Sequence, residues 1–461
     1  MKRKIRIIAM IIVLVLSLTS FIGCTKRASD VNTDTNTDAN NGQNTTDNTS
    51  GKDESKDQTE SKVQGVTDTE IIVGNTAAVS GSFAFVGVPF NDAIKAVFKQ
   101  VNEAGGIGGR QIKFVTYDDG FNASTGMSLT EKLVEEDKIF ALVGHFGTPT
   151  VSATIDYIQE YGVPMVYAAT GINDLYFEKS AGNPVMAVQP IYKTDGRVMT
   201  ARVFHESIFG ANRDEKLAGD AKVGVLYVND DAGNGILEGV KDQAEKDGRT
   251  SNLVIEAVAE GTYSTAVQKL KEQGVSVVIA AMNQAPFKET LVALNDAQLE
   301  VPVFTSYNNA DPTAIDHTKH SDNRPIYTNA WVDVLSEKGQ QDAQAFVAAI
   351  AQADLTDDVK NSYYTNAFAT AGYIAATVFI EGLKRVDAEG LDLTWDNYIK
   401  VMENGPIDIP MGGTVDFSEG KRWGIDSMSL LQYKYTENNG EAVEIFEAVR
   451  PIESLTDIEA K

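Results

Sequence analysis

The sequence has 461 residues, of which 65 are acidic and 40 basic, giving a net charge of −25. This excess of carboxylates argues against a nucleic-acid-binding protein, since phosphate contacts need clustered Lys and Arg. The single cysteine excludes internal disulfides and cysteine-rich zinc sites, and the length suits two folded lobes with additional segments rather than one core.

The N-terminal segment has the layout of a secretory signal peptide. Four basic residues precede an almost wholly apolar run from Ile7 to Leu18. A membrane-spanning helix is the alternative, but the run is shorter than the ~20 residues that cross a bilayer. We therefore predict a signal peptide over residues 1–23.

The only cysteine, Cys24, ends this segment directly after Gly23. The arrangement resembles the bacterial lipoprotein processing site, in which the thiol receives a diacylglycerol and becomes the mature N-terminus. Phe21 departs from that pattern and Ile22 fits it loosely, whereas Gly23 and Cys24 match. The resemblance implies lipid attachment at Cys24 and an anchor on the extracytoplasmic face of the cell membrane, where two acyl chains hold a protein stably.

A polar stretch follows the cysteine. Residues 25–62 are mostly Asn, Thr, Asp, Ser, Lys and Gln and include no aromatic residue. Such a composition cannot bury enough apolar surface to offset the entropy lost on ordering. We predict that residues 24–65 comprise the anchor cysteine and a disordered tether.

From Val66 onward, the sequence predicts alternating strands and helices. The first series has strands at 70–73, 111–117, 141–144 and 164–167, with helices at 89–102, 124–136 and 150–161. A second series has strands at 222–228, 253–257, 275–280 and 301–306, with helices at 235–247, 264–273 and 286–297. A long helix rich in small residues is predicted at 362–383. The alternation indicates an α/β fold with two lobes, each a parallel sheet flanked by helices.

Two loops are candidate ligand-binding segments. Ligands of open parallel sheets bind beyond the carboxyl ends of strands, where helix N-termini point inward. The loops at 145–150 and 168–171 follow predicted strands and supply backbone N–H groups and hydroxyls, which suit an anionic group. The alternative is that Thr148 and Thr170 only cap helices.

Other motifs give no catalytic or metal site. Gly-x-Gly within 105–110 follows a helix and precedes a strand, the reverse of a dinucleotide site. His317 and His320 have metal-like spacing without a further Cys or His ligand. The Asp118–Asp119 pair could suggest paired carboxylates for hydrolysis, but a family resemblance over residues 101–120 implies that it ends a strand and shapes a loop. We therefore predict no cofactor, no metal and no enzymatic activity.

Five segments together resemble the leucine/isoleucine/valine-binding protein family, which are type I periplasmic solute-binding proteins of ABC importers. The resemblance spans roughly residues 66–450, and its segments are AAVSGSFAFVGVP (77–89), VNEAGGIGGRQIKFVTYDDG (101–120), ALVGHFGTPT (141–150), YGVPMVYAAT (161–170) and MGGTVDFSEG (411–420). It implies two lobes joined by three crossover strands, with the ligand buried between them. The first lobe is expected at 66–190 plus 331–412, the second at 191–330 plus 413–450, and a C-terminal tail at 451–461.

The resemblance also implies a ligand site. The ligand carboxylate is expected on Thr148 and on the Ala168, Ala169, Thr170 stretch, where fixed N–H and O–H donors satisfy it without a buried counter-charge. Where the family has an acidic residue for the ligand ammonium, this sequence has Asn308. Asp230, Asp231, Asp311 or nearby Tyr residues are the candidate replacements if the ligand is an amino acid. The remaining candidate ligand-binding residues are Phe85, Phe146, Tyr192, Met282, Asn283 and Tyr307, with Phe83 a further candidate for the apolar wall.

The resemblance implies an extracytoplasmic solute-binding lipoprotein that captures a small carboxylate-bearing solute by closure of two lobes. The solute is a branched-chain or other amino acid, or a related amide or organic acid, and the expected partners are ABC permease subunits in the membrane. Three alternatives stay open: a ligand-sensing module of the same fold that acts on a membrane receptor, a surface hydrolase, and an adhesive protein.

Overall fold

A computed structural model describes residues 63–312, 315–333, 336–438 and 441–461. The predicted signal peptide, Cys24 and all but the end of the predicted tether lie outside these residues. The described part contains two main sheets and a small two-stranded one. Within it, no helix combines the length and the apolar character needed to cross a membrane.

The first sheet has five parallel strands in the order β2-β1-β3-β4-β5. All of its strand pairs are parallel, as the alternation of strands and helices predicts. Its strands are β1 (Glu70–Ala77), β2 (Gln111–Asp118), β3 (Ala141–Val143), β4 (Met165–Val166) and β5 (Val185–Met186).

Helices cover the faces of this sheet. They are α1 (Ala84–Glu103), α2 (Ala123–Glu131), α3 (Thr148–Tyr161) and, from later in the chain, α8 (Glu337–Ala351), α9 (Asp357–Tyr363), α10 (Ala367–Ala388) and α11 (Trp395–Met402). Helices α1 and α10 approach so closely that a Cβ at Gly372 would lie 2.0 Å from the carbonyl oxygen of Phe90. The small residues of α10 therefore permit close packing within the lobe.

The second sheet has seven strands in the order β14-β13-β10-β9-β8-β6-β7. The strands are β6 (Val223–Val228), β7 (Leu253–Val258), β8 (Val277–Ala281), β9 (Val303–Thr305), β10 (Ile326–Ala330), β13 (Ser427–Asn438) and β14 (Glu441–Ser454). Strands β6 to β10 are parallel, whereas β13 and β14 add an antiparallel hairpin at one edge. The expected α/β fold is confirmed, with a second sheet that is mixed because the chain returns to it after the helices of the first lobe.

The second sheet is flanked by α4 (Tyr192–His205), α5 (Asp231–Lys246), α6 (Tyr263–Gln273), α7 (Gln284–Asp296) and α12 (Leu455–Glu459). Helices α4 and α5 pack through glycines, since a Cβ at Gly196 would lie 2.1 Å from the carbonyl oxygen of Ile236. Residues 451–461, set apart above as a tail, complete β14 and form α12, whose Ile458 is buried.

One predicted helix is divided in two. The pattern over 362–383 predicts a single helix, but the structure ends α9 at Tyr363 and begins α10 at Ala367. The Asn366 side chain accepts hydrogen bonds from the backbone N–H groups of Phe368 and Ala369 at 2.9 and 2.8 Å. An N-cap of this kind satisfies the first donors of α10 and fixes its start.

The chain passes between the two sheets three times: after β5, after β10, and before β13. Buried Arg422 fixes the last passage to the first lobe, because its guanidinium donates to the Asn183 carbonyl oxygen at 2.8 Å and to Glu403 Oε1 at 2.5 Å. Small strands β11 (Ile407–Asp408) and β12 (Thr414–Val415) pair just upstream. A buried guanidinium with this many acceptors is a strong positional constraint.

Candidate functional site

The loop after β3 places a threonine hydroxyl at the carboxyl edge of the first sheet. Helix α3 begins at Thr148, and its N-cap is Gly147, which makes no side-chain cap. Thr148 Oγ1 lies 2.8 Å from Thr170 Oγ1, which follows β4. Neither threonine occupies an N-cap, since Gly147 precedes α3 and Ile172 precedes the 3₁₀ turn after Thr170, so the capping alternative is wrong.

Gly147 is required where it stands. Its φ of 99° falls in the region that glycine populates readily, and a Cβ would lie 3.1 Å from the ring of Phe121. Phe121 in turn stacks on Phe83, with ring centroids 3.8 Å apart. The loop that carries Thr148 thus lies directly against an aromatic pair.

Tyr192, the first residue of α4, reaches this loop from the second lobe. Its hydroxyl lies 3.2 Å from Thr148 Oγ1, and the residue is buried. A Cβ at Gly235 of α5 would lie 3.1 Å from the Tyr192 Cβ. The close packing of α4 on α5 therefore positions this tyrosine.

Two asparagines continue the contacts into the second lobe. Asn308 Nδ2 donates to the Tyr192 hydroxyl at 3.2 Å and to Asn283 Oδ1 at 2.9 Å. Asn308 lies in a short 3₁₀ turn after β9, and Asn283 directly precedes α7. The carboxyl edges of the two sheets are therefore joined by a polar row, which we define as Thr170, Thr148, Tyr192, Asn308 and Asn283.

Tyr307, which follows β9, supports the polar row by bonding to the first passage between the lobes. Its hydroxyl donates to the Pro190 carbonyl oxygen at 2.7 Å and accepts from Gln189 Nε2 at 3.1 Å. Its ring stacks on that of Tyr192, with the ring centroids 6.3 Å apart. Burial raises the pKa of Tyr307 well above its usual value, so the hydroxyl keeps its proton.

A buried carboxyl lies beneath the turn that carries Asn308. Asn329 Nδ2 of β10 donates to Asp195 Oδ1 at 2.8 Å, and Asp195 is fully buried in the first turn of α4. Burial raises the pKa of Asp195 to about 6, because a low-dielectric surrounding disfavours the charged form. This group therefore changes charge in a mildly acidic range.

The remaining predicted site residues are not part of the polar row. Ala169 N–H donates to the His145 carbonyl oxygen at 2.7 Å, which holds the two loops side by side, and Ala168 is buried. Phe146 packs in the core of the first lobe, where its ring centroid lies 5.5 Å from that of Phe90. Phe85 is 50% exposed on the first turn of α1, with its ring 6.1 Å from Phe368.

Met282 does not join the polar row. Its side chain is fully buried in the core beneath the second sheet, and the Thr290 hydroxyl donates to its sulfur at 3.1 Å.

Two of the acidic residues considered above, Asp230 and Asp119, fix a helix start and a loop. Asp230 caps α5 by accepting from the Gly233 N–H at 2.7 Å. Asp119 Oδ2 accepts from the hydroxyls of Thr76 and Thr150 at 2.9 and 2.7 Å, so it holds the loop after β2. Among the described residues, no three His, Cys, Asp or Glu side chains form a group suited to a metal ion.

Sequence reasoning missed three residues that position the site. Gln284 Nε2 donates to the Asn308 carbonyl oxygen at 2.8 Å, and Gln189 fixes Tyr307 as described. Asn173 of the first lobe donates to Glu238 of α5 at 2.7 Å and accepts from the Lys193 N–H at 3.0 Å. Because Gln284 directly follows Asn283, its position at the start of the helix after β8 could have identified it as a site residue.

Comparison with known proteins gives matches over most of the described chain. A profile of the family described as periplasmic binding protein matches residues 70–441. The Leu/Ile/Val-binding protein homolog 2 of Brucella abortus is 28% identical over 216 residues, which are 46% of this chain and 54% of that protein. The chain thus spans about half the length of the curated relatives it matches.

Two solved structures share the fold at lower identity. One is a branched-chain amino acid ABC transporter protein from Thermus thermophilus with bound valine, at 15% identity and a TM-score of 0.65, covering 86% of this chain and 100% of that one. The other is a fatty acid ABC transporter substrate-binding protein from Thermomonospora curvata, at 18% identity and a TM-score of 0.64, covering 86% and 97%.

Proposed function

The chain belongs to the periplasmic binding protein family, and from this premise we propose that it is an extracytoplasmic solute-binding protein of an ABC importer. Its ligand is a small carboxylate-bearing solute bound between the lobes. The relatives support this class of ligand: one structure holds valine and another is named for fatty acids. Both kinds of molecule have a carboxylate.

The observation that carries the proposal is the polar row. It joins the carboxyl edges of both sheets, where ligands of parallel α/β proteins bind. The hydroxyls of Thr148 and Thr170 are 2.8 Å apart at the N-terminus of α3. Two hydroxyls next to a helix N-terminus favour a desolvated carboxylate without a buried cation.

Binding by lobe closure explains how these groups act. Thr148 belongs to the first lobe, whereas Tyr192 and Asn308 belong to elements that pack on the second sheet. A ligand that contacts both sides stabilises the closed state by its differential affinity for that state. A micromolar site needs ~8 kcal/mol in total, which a few charge-assisted hydrogen bonds and apolar contacts can supply. No bond is made or broken, so the proposed role is binding rather than catalysis.

We further propose that Cys24 carries the lipid that holds the protein at the outer face of the cell membrane. The polar segment after Cys24 then spans the distance between the membrane and the folded lobes, which lets the lobes meet permease subunits. The sequence pattern around Gly23 and Cys24 supports this proposal.

The test of binding is native mass spectrometry of freshly purified full-length protein, followed by calorimetric titration of any released molecule. We expect a small carboxylate-bearing compound at one molecule per chain. Absence of any bound molecule, with no thermal shift across amino acids, organic acids and amides, contradicts the proposal.

A further inference from the structure

The side chains of the polar row are all uncharged. They offer threonine and tyrosine hydroxyls and asparagine amides. An α-amino acid would bring an ammonium group into this region, with three donors and no acceptor. A buried ammonium needs a carboxylate or an aromatic face, because desolvation otherwise costs more than the remaining contacts return.

The hydrogen bonds of Asn308 make the polar row poorly suited to accept hydrogen bonds from an ammonium group. Its amide nitrogen donates to both Tyr192 OH and Asn283 Oδ1, so the Asn283 oxygen is already engaged. Its backbone oxygen accepts from Gln284. The Asn308 amide nitrogen, its backbone oxygen and the Asn283 side-chain oxygen therefore have partners within the protein, and the position has an amide where a carboxylate would neutralise a cation.

Two neighbouring carboxyl groups are engaged elsewhere. Asp195 lies beneath the turn, fully buried, with Oδ1 bonded to Asn329. Asp230 uses its side chain to cap α5. Both groups therefore have structural partners.

The aromatic rings next to the row cover one another. Tyr192 and Tyr307 stack at 6.3 Å with an interplanar angle of 27°, and Phe83 and Phe121 stack at 3.8 Å. Each ring has one face against its partner, so the arrangement resembles an apolar wall more than a cage of faces around a cation.

We propose that this site takes small carboxylates that lack an α-ammonium group, and that Asn308 discriminates against the amino acids that carry the same hydrocarbon group. The inference rests on the proposed function, since it concerns the same cleft. It specifies the ligand class within that function.

The test uses three matched sets of probes on the full-length protein. They are valine, 3-methylbutanoate and 3-methylbutanamide; leucine, 4-methylpentanoate and 4-methylpentanamide; and phenylalanine, 3-phenylpropanoate and 3-phenylpropanamide. Calorimetric titration should show the carboxylate of at least one set binding about tenfold or more tightly than its amino acid, the scale expected for an unpaired buried charge. The carboxylate should also bind more tightly than its amide, which lacks the charged group.

Two variants test the residue that carries the selection. Asn308→Asp should shift the preference toward the amino acid by about tenfold, because it supplies the missing carboxylate. Gln273→Glu is the matched control: it makes the same isosteric change on exposed α6, where residue 273 contacts Lys222, and should leave the preference unchanged.

The outcomes are distinguishable. A wild-type protein that prefers the amino acids overturns this inference and leaves the proposed function intact. An Asn308→Asp variant with the same preference as Gln273→Glu overturns the role of Asn308. Failure of every probe to bind both the wild type and Asn308→Asp counts against the inference and the proposed function together.

Discussion

The hydroxyls of Thr148 and Tyr192 lie 3.2 Å apart, and each belongs to a different lobe. Thr148 begins α3, which packs on the first sheet, and Tyr192 begins α4, which follows the first passage between the lobes. The hydrogen bond between them is therefore a direct contact between the two halves at the carboxyl edges of both sheets. Opening of the lobes has to break it.

Removal of either threonine hydroxyl should weaken ligand binding. Thr148→Ala and Thr170→Ala each delete one donor to the proposed carboxylate, and we expect a loss of about tenfold, or ~1.5 kcal/mol, from a hydrogen bond to a charged group. Calorimetric titration of the copurified compound measures this effect. Thr265→Ala on the exposed face of α6 is the control, and equal affinities in all three variants would remove the threonines from the site.

Tyr192→Phe should favour the open state while keeping the ring stack on Tyr307. The substitution removes the hydroxyl that contacts Thr148 and Asn308 but leaves the apolar surface in place. We expect weaker ligand-induced compaction in small-angle scattering and about threefold to tenfold lower affinity. Tyr176→Phe is the control, because Tyr176 is exposed and stacks on Trp423. Compaction equal to that of the wild type would show that the hydroxyl has no part in closure.

The close approach of α1 and α10 gives a stability prediction. Gly372→Ala would place a Cβ 2.0 Å from the Phe90 carbonyl oxygen, so the helices must move apart, at a cost of about 1–3 kcal/mol. Gly219→Ala is the control, since a Cβ there meets nothing within 4 Å. Chemical denaturation measures both. A Gly372→Ala protein as stable as the Gly219→Ala protein would contradict the packing described here.

Asp195 should make stability depend on pH. Burial raises its pKa to about 6 from an ordinary value of 3.8, so the folded protein binds this proton more tightly than the unfolded chain. The contribution is therefore greatest below the unfolded pKa and declines as pH rises toward the folded pKa, by about 2–3 kcal/mol in total.

The comparison requires the Asp195→Asn variant, because buried His145 acts in the opposite direction. Burial lowers the pKa of His145 to about 3, so its contribution is lost as pH falls below its ordinary value. Denaturation at pH 4.5 and pH 7.5 should show that the wild type gains stability at the lower pH relative to Asp195→Asn. A difference between the two proteins that does not change with pH would show that Asp195 titrates normally.

Cys24→Ser should release the protein from the membrane. Without the thiol there is no site for the diacylglycerol, and the protein should move from the membrane fraction to the soluble extracytoplasmic fraction. Cell fractionation with immunodetection measures the distribution. Membrane association that persists in the variant would instead favour an uncleaved N-terminal helix as the anchor.

The fold was predictable where apolar periodicity is regular. The strand Gln111–Asp118 and the helix Tyr263–Gln273 match their predicted positions to within one residue at each end. Helix α4 was not predicted, because Asp195 and Arg202 are polar yet fully buried in it. Arg202 Nη1 donates to Glu206 Oε1 and to Glu453 Oε2, both at 2.6 Å, and Glu453 lies 251 residues away. A charged partner so far along the chain leaves no local sequence pattern from which the helix could be predicted.

The candidate site was partly predictable. Thr148, Thr170, Tyr192, Asn283 and Asn308 came from the resemblance and from the position of the loops, and the structure brings them together. Met282 could have been placed by alternation along β8: Val278, Ala280 and Met282 lie in one core, whereas Val277, Ile279 and Ala281 lie in the other. The contact of Gln189 with Tyr307 depends on how the lobes meet, which local sequence does not determine.

The most direct test of ligand capture by lobe closure is small-angle scattering of the full-length protein, which is first stripped of its copurified compound and then titrated with it. We expect the radius of gyration to decrease on saturation, and the Thr148→Ala variant to need a higher ligand concentration for the same decrease. A radius that stays constant while calorimetry reports binding would contradict capture by closure of the two lobes.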